Sequence, residues 1–212
     1  MSLRIDPEVI EQVREIFKRL ESPVTLNLFL AKESRCPYCK ETEELISIVS
    51  QTSDKINVRK YYEGSDEAKA FNIDKYPAIV VHGKEKYNIR YFGIPVGYEF
   101  GVLIEDILHA SRGKPDLPDD IVEKLKEIDK PVHIQVFMTP TCPYCPYAAR
   151  VAHMFAIVNK NIVADVIEAM EFPELAEKYS VRAVPKIVIN DKVSFEGAMP
   201  EREFLEKVLE AL

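Results

Sequence analysis

All four cysteines of the chain stand in two C-x-x-C pairs, Cys36 and Cys39 in "RCPYCK" (35 to 40) and Cys142 and Cys145 in "TCPYCP" (141 to 146). Cysteine attacks only as thiolate, and its free pKa of about 8.5 falls to roughly 3.5–7.5 at a helix N-terminus or within such a pair. If Cys36 and Cys142 cap helices, with Pro37 and Pro143 at the first helical position, each sulfur faces unpaired N–H groups at the positive end of the helix dipole. The first cysteine of each pair is then the attacker. Its partner three residues on lies on the same helix face, about 5–6 Å away between Cβ atoms, whereas a relaxed disulfide wants about 3.5–4.5 Å. A bond closed at that spacing is easily passed on, so Cys39 and Cys145 can resolve a mixed disulfide within the chain.

Metal binding is the rival chemistry for such pairs. A Cys₄ zinc site usually places its two C-x-x-C pairs about 15–20 residues apart; here more than a hundred residues intervene. The spacing favours redox exchange and assigns no metal ligand. The flanks of the two pairs differ. Arg35 and Lys40 bracket the first and either favour its thiolate or are plain solvated cations, while Thr141 and Pro146 bring no charge to the second. Pro146 also lacks the N–H that would bond the carbonyl of Cys142, so the two pairs are expected to differ in potential.

The elements that must hold these pairs read as a tandem duplication. "PEVIEQVREIF" (7 to 17) matches "PDDIVEKLKEI" (118 to 128), and "SPVTLNLFL" (22 to 30) matches "KPVHIQVFM" (130 to 138). Further on, "FNIDKYPAIVVHGKEKY" (71 to 87) matches "YSVRAVPKIVINDKVSF" (179 to 195). Each copy predicts a short amphipathic helix opened by a proline, a strand, CPYC at a helix start, and a second strand (56 to 62; 162 to 168). A short helix (65 to 72; 173 to 180), a hairpin (77 to 92; 185 to 196) and a last helix (98 to 110; 200 to 211) follow. "SRGKPDLPDD" (111 to 120) is the linker, so the units are 1–113 and 114–212, packed as one rigid body. The fold class is α/β, two units in tandem, each a mixed β-sheet flanked by helices.

The 212 residues suit two domains, and a 47% apolar, 30% charged composition is that of a folded chain. A net charge of −7 argues against nucleic acid as partner. The N-terminus lacks the apolar core of a signal peptide and no apolar run approaches the length of a membrane span, so the expected location is the cytoplasm, with no membrane partner. No glycine-rich loop is built for nucleotide phosphates. No cofactor beyond the redox-active pairs Cys36–Cys39 and Cys142–Cys145 is expected, and electrons must pass to or from another protein. His153 lies too far along its helix from Cys142 to make a Cys–His nucleophile, and reads as a helix-face histidine. The Glu and Lys richness fits a thermophile weakly.

The strand, the CPYC at a helix start and the later "YPAIV" or "VPKIV" before a hairpin resemble the thioredoxin superfamily. CPYC is its glutaredoxin tetrapeptide, and the tandem arrangement resembles the protein disulfide oxidoreductases of heat-loving prokaryotes. The resemblance implies that Pro77 and Pro185 are cis and face the dithiols. It also implies that Tyr76 and Val184 offer backbone groups to an extended substrate strand. It further implies protein substrates bearing thiols or disulfides, and an electron partner of the thioredoxin-reductase type of flavoprotein. The chain departs from the thioredoxin pattern in having no Trp and no Asp on the strand before the first pair. Asp165 and Glu168 are candidates for that acid's proton relay, but on a strand they read more simply as exposed charges.

Two other functions stay open on sequence grounds. One is a thioredoxin-like reductase that supplies electrons to peroxidases or similar enzymes. The other is not an enzyme: a metal or iron–sulfur carrier, or a folding chaperone using the grooves.

Overall fold

The computed structural model describes residues 4–212, so the first three residues of the expected first unit lie outside the described residues. In the first half, α1 (Pro7–Phe17) leads to β1 (Val24–Leu30), α2 (Cys39–Ser50) and β2 (Ile56–Tyr62). After these come α3 (Asp66–Ala70), the hairpin β3 (Ala78–His82) and β4 (Ile89–Phe92), and α4 (Tyr98–Arg112). The second half repeats the series as α5 (Asp119–Lys126), β5 (Val132–Met138), α6 (Cys145–Val158) and β6 (Ile162–Glu168). It closes with α7 (Pro173–Lys178), β7 (Lys186–Ile189), β8 (Val193–Glu196) and α8 (Glu201–Glu210). Asp6 caps α1 by accepting the Glu8 N–H at 2.9 Å, with Pro7 at the first helical position. In the second copy Pro118 is itself the cap and α5 starts at Asp119, one residue later than the repeat predicts.

The eight strands form one sheet in the order β2-β1-β3-β4-β6-β5-β7-β8. Within each half the first two strands run parallel and the hairpin antiparallel, as expected. The halves are joined head to tail, because β4 pairs in parallel with β6 from Ile89↔Ala164 to Phe92↔Ile167. The join explains burial that the repeat alone hides. β2 and β8 are sheet edges and keep alternating or largely exposed faces, whereas their counterparts β6 and β4 are almost wholly buried.

Asp165 and Glu168 are therefore not exposed strand charges: both are buried, because β4 covers the strand that carries them. Arg90, the register partner of Asp165, donates to it through Nε and Nη2 at 2.6 and 2.8 Å, and His133 Nε2 lies 2.7 Å from the same carboxylate. Burial alone pushes the Asp165 carboxyl up, but the bond to His133 and the Arg90 charge outweigh it and hold it below the ordinary range. His153 sits on a face of α6, as expected, and that face is the buried one. Its Nδ1 lies 2.5 Å from Asp106 Oδ2, which also accepts the Tyr91 hydroxyl, and its Nε2 lies 3.3 Å from the Arg90 carbonyl oxygen. Tyr91, Asp106 and His153 are fully buried between β4, α4 and α6. The helices α4 and α6 thus close over the strand junction. No helix among the described residues is long and apolar enough to cross a membrane.

Candidate active site

Both pairs are closed as disulfides, Cys36–Cys39 with its Cα atoms 5.3 Å apart and Cys142–Cys145 with 5.5 Å. The first cysteines are not the helix caps that the sequence suggests. Tyr38 and Tyr144 cap α2 and α6, which begin at the second cysteine of each pair. At the first site the Cys39 N–H bonds the Cys36 carbonyl at 3.3 Å in a tight turn, and the first regular helical bond runs from Thr42 N–H to Tyr38 at 2.9 Å. Tyr38, at φ −110° and ψ 12°, is what separates turn from helix.

The two sites share this plan and differ around it. At the second site the Cys145 N–H donates to Cys142 Sγ at 3.2 Å, so the sulfur does receive an amide of the helix start. The same sulfur lies 3.6 Å from the carbonyl oxygen of Val184, and the Val184–Pro185 bond is cis. Cys142 is 8% exposed and Cys145 is sealed, with Tyr144 standing 71% exposed between them. At the first site the Ala31 N–H donates to Cys39 Sγ at 3.3 Å, and the exposures are reversed, 1% for Cys36 and 8% for Cys39. Tyr76–Pro77 is cis there as well. Tyr76 is buried and donates its hydroxyl to the Ile73 carbonyl at 3.3 Å; burial, then the nearby Glu63, push its phenol up. Arg35 is paired with Glu63, so much of its charge is already answered; Lys40 is exposed.

The first half also holds the loop of the second site. The Tyr98 N–H, at the start of α4, donates to the Pro140 carbonyl at 3.1 Å, two residues ahead of Cys142. Gly97 allows that approach: it sits at φ +61°, and a Cβ there would stand 2.3 Å from the Pro140 oxygen. Beside this contact Glu99, Glu168 and Glu171 converge at the junction of the halves. Burial, then Glu168 and Glu171, push Glu99 well above the ordinary carboxylate range. Burial also raises Glu168, and lifts Glu171 to about 7 against a hydrogen bond from Ile94 N–H at 2.7 Å. Glu99 Oε1 and Glu168 Oε1 have no hydrogen-bond partner. Gly93 makes room for the cluster, since a Cβ on it would meet Glu168 Cβ at 2.7 Å. Among the described residues no group of His, Cys, Asp and Glu is arranged to hold a metal ion.

The structure brings together Cys142, Cys145, Val184 and Pro185, and places Tyr76 and Pro77 in the matching position at the end of the hairpin strand beside β1. Sequence reading missed Glu99 and Glu171. In "GYEFGVLIEDI" an acid in the first turn of a helix is what any exposed N-terminus shows; only the head-to-tail junction buries it.

A thioredoxin domain model matches residues 132–210. The solved structure of a protein disulfide oxidoreductase from Aeropyrum pernix K1 is 33% identical, with a TM-score of 0.89 over 97% of this chain and 93% of that one. The NTD_N/C domain of the alkylhydroperoxide reductase AhpF from Enterococcus faecalis has the same fold, with a TM-score of 0.89 over 97% of this chain and 100% of that one at 22% identity. Among curated proteins, the AhpF component of alkyl hydroperoxide reductase from Staphylococcus aureus is 23% identical over 204 residues. That match takes in 96% of this chain but 38% of the relative, so the chain spans little more than a third of that protein's length.

Proposed function

The chain belongs to the thioredoxin-fold protein disulfide oxidoreductases, and from that premise we propose that it forms, reduces or isomerises disulfides of other proteins through Cys36/Cys39 and Cys142/Cys145. The observation that carries this reading is the arrangement at the second site. A disulfide at a helix start accepts an amide N–H on its outer sulfur and lies 3.6 Å from the carbonyl of the residue before a cis-proline.

In the reducing direction, the Cys142 thiolate attacks one sulfur of a substrate disulfide and the other leaves as thiolate. Cys145, on losing its proton, then attacks Cys142 Sγ and releases the second substrate thiolate, so two electrons move to the substrate and two protons follow. Oxidation of a substrate dithiol runs the same steps backwards from the disulfide. Cys142 takes the outer role as the less buried member of its pair, with the Cys145 N–H on its sulfur; Cys36 takes it at the first site by its position in the repeat, although there Cys39 is the less buried sulfur. Tyr76 and Val184 offer their backbone to an extended substrate, with Pro77 and Pro185 turning that backbone towards the sulfurs. The electron partner in this reading is a thioredoxin-reductase-type flavoprotein, and the compartment a reducing cytosol, where cysteines are kept for catalysis rather than for staples.

The deciding experiment measures the reduction potential of each pair alone, in Cys36→Ser/Cys39→Ser and Cys142→Ser/Cys145→Ser variants. Values near −180 mV support an oxidase or isomerase, and values near about −270 mV support a reductase. A chain with both pairs removed that still reduces insulin disulfides refutes the reading. The match to the Staphylococcus aureus alkyl hydroperoxide reductase component along 96% of the chain favours one specific alternative, electron supply to a thiol peroxidase. Sustained hydroperoxide turnover by a peroxidase that depends on Cys142 is its test.

A further inference from the structure

The two disulfides lie at one end of one sheet. β1 runs antiparallel to β3 and β3 to β4, while β4 runs parallel to β6 and β6 to β5, so β1 and β5 point the same way. The registers also set the two copies level. Phe29↔Ala78, Ala78↔Phe92, Phe92↔Ile167 and Phe137↔Ile167 form one row across the sheet, and Phe29 and Phe137 are equivalent residues of the repeat. Cys36 and Cys142 follow this row by seven and five residues. β2 and β6 stand on the same side of β1 and β5 in the strand order, so right-handed crossovers carry α2 and α6 over the same face.

The gap between the sites is fixed by the sheet rather than by the linker, because β4 and β6 share a ladder. Four strand steps separate β1 from β5, which at about 4.8 Å each makes about 19 Å at the row. A twist of roughly 20–25° per step turns β5 by about 90° relative to β1, which fans the disulfides beyond the row to a separation on the order of 25 Å.

The surface at this end is apolar. Six large apolar side chains are exposed among the described residues: Tyr38, Tyr62, Tyr98, Tyr144, Met170 and Leu209. Leu209 lies at the far end of α8, and the other five are all at the disulfide end. Tyr38 and Tyr144 belong to the tetrapeptides, and Tyr62 ends β2 beside Leu30. Tyr98 and Met170, 53% and 75% exposed, follow the ends of β4 and β6, two of the three strands that separate the sites. Apolar side chains therefore continue from one exchange site to the other.

We propose that the two sites act together on one substrate chain, an extended polypeptide with two cysteines several residues apart that are held at both sites at once while the chain crosses Tyr98 and Met170. The proposal rests on the reading of both pairs as exchange centres.

The experiment uses the full chain as Cys39→Ser/Cys145→Ser, with Cys36→Ser/Cys145→Ser beside it in case Cys39 is the outer sulfur of the first site. Peptides carry two cysteines, each capped with thionitrobenzoate. Each protein thiolate attacks the peptide sulfur, forms one protein–peptide disulfide and expels one thionitrobenzoate anion; the thiol's proton goes to solvent and nothing is oxidised overall. A one-residue spacer sets the two cysteines at most about 7 Å apart, too close to reach both sites even with a disulfide arm at each end. A spacer of about twelve Gly and Ser residues spans about 20 Å on average. Once tethered at one site, its second cysteine meets the other at an effective concentration near about 1 mM, so against about 10 μM free peptide it should close about 100-fold faster than a second peptide arrives. Mass spectrometry should then find a doubly bonded one-to-one adduct for the long peptide and a one-to-two adduct for the short one. Leucine and phenylalanine at the centre of the long spacer should speed closure about three- to ten-fold by burying apolar surface, and Tyr98→Ser/Met170→Ser should remove that gain. If a single-cysteine peptide fails to load one of the sites in both variants, the exchange reading falls there, and the proposal with it. If both sites load but the long peptide gives only one-to-two adducts, or the short peptide closes equally well, or the apolar spacer gains nothing, the proposal alone is overturned.

Discussion

Glu171→Gln should stabilise the protein above neutral pH and leave it unchanged in acid. Burial holds the Glu171 carboxyl at about 7, against an ordinary value of 4.5, so the folded state binds its proton more tightly than the unfolded chain does. A carboxyl raised in this way contributes its full stability below pH 4.5, and the contribution is lost as pH climbs through 7. The shift corresponds to about 3.4 kcal/mol at 1.36 kcal/mol per unit. Because Glu171 is only partly buried, solvent screening reduces this to about 1–3 kcal/mol. Glutamine keeps an oxygen for the Ile94 N–H but has no charge to desolvate beside Glu99 and Glu168. The assay is urea unfolding at constant ionic strength from pH 5 to pH 8, with midpoint and slope fitted at each pH. The wild type should lose stability across that window and the variant should lose about 1–3 kcal/mol less. Parallel pH profiles for the two chains would show that the carboxyl is solvated and that the three glutamates do not share a buried site.

Asp106→Ala should cost about 3–5 kcal/mol, because it strips the acceptor from both the Tyr91 hydroxyl and His153 Nδ1 in a sealed site; denaturant midpoints measure it. Gly97→Ala should displace the loop ahead of Cys142, since its Cβ would stand 2.3 Å from the Pro140 oxygen; thiol exchange at the second site should slow while the first site keeps its rate. Cys142→Ser should abolish insulin reduction by the second site, and Cys145→Ser should instead trap a mixed disulfide on Cys142, visible by mass spectrometry.

What the sequence makes legible follows from what is local. The two CPYC pairs, the strand boundaries at 56–62 and 162–168, and the prolines ahead of the hairpins depend on spacing and on turn chemistry within one copy. The start of α2 departs from expectation for a local reason too, because the backbone of Tyr38 adds a tight turn between cysteine and helix that the tetrapeptide does not disclose. The burial of Asp165, Glu168 and His153 is out of reach in another way. Each sits where the copies meet, and a repeat predicts the same environment for "VRKYY" and "DVIE" although one strand is an edge and the other is central.

That difference bears on how one fold can run two exchange sites. The cysteines and cis-prolines are duplicated, so any division of labour must come from what is not. At the first site Arg35 is paired with Glu63, which leaves Lys40 as the unpaired flanking cation there. At the second, the loop ahead of Cys142 is held by an amide from α4, beside three carboxyl groups that belong to both halves. The first half thus holds the loop of the second site, and a change at this junction is predicted to alter the potential of Cys142–Cys145 more than that of Cys36–Cys39. Separate potentials that stayed equal in the wild type and moved together in Glu99→Gln would refute that asymmetry. A change confined to Cys142–Cys145 would place the junction, rather than the residues flanking each tetrapeptide, in charge of the difference.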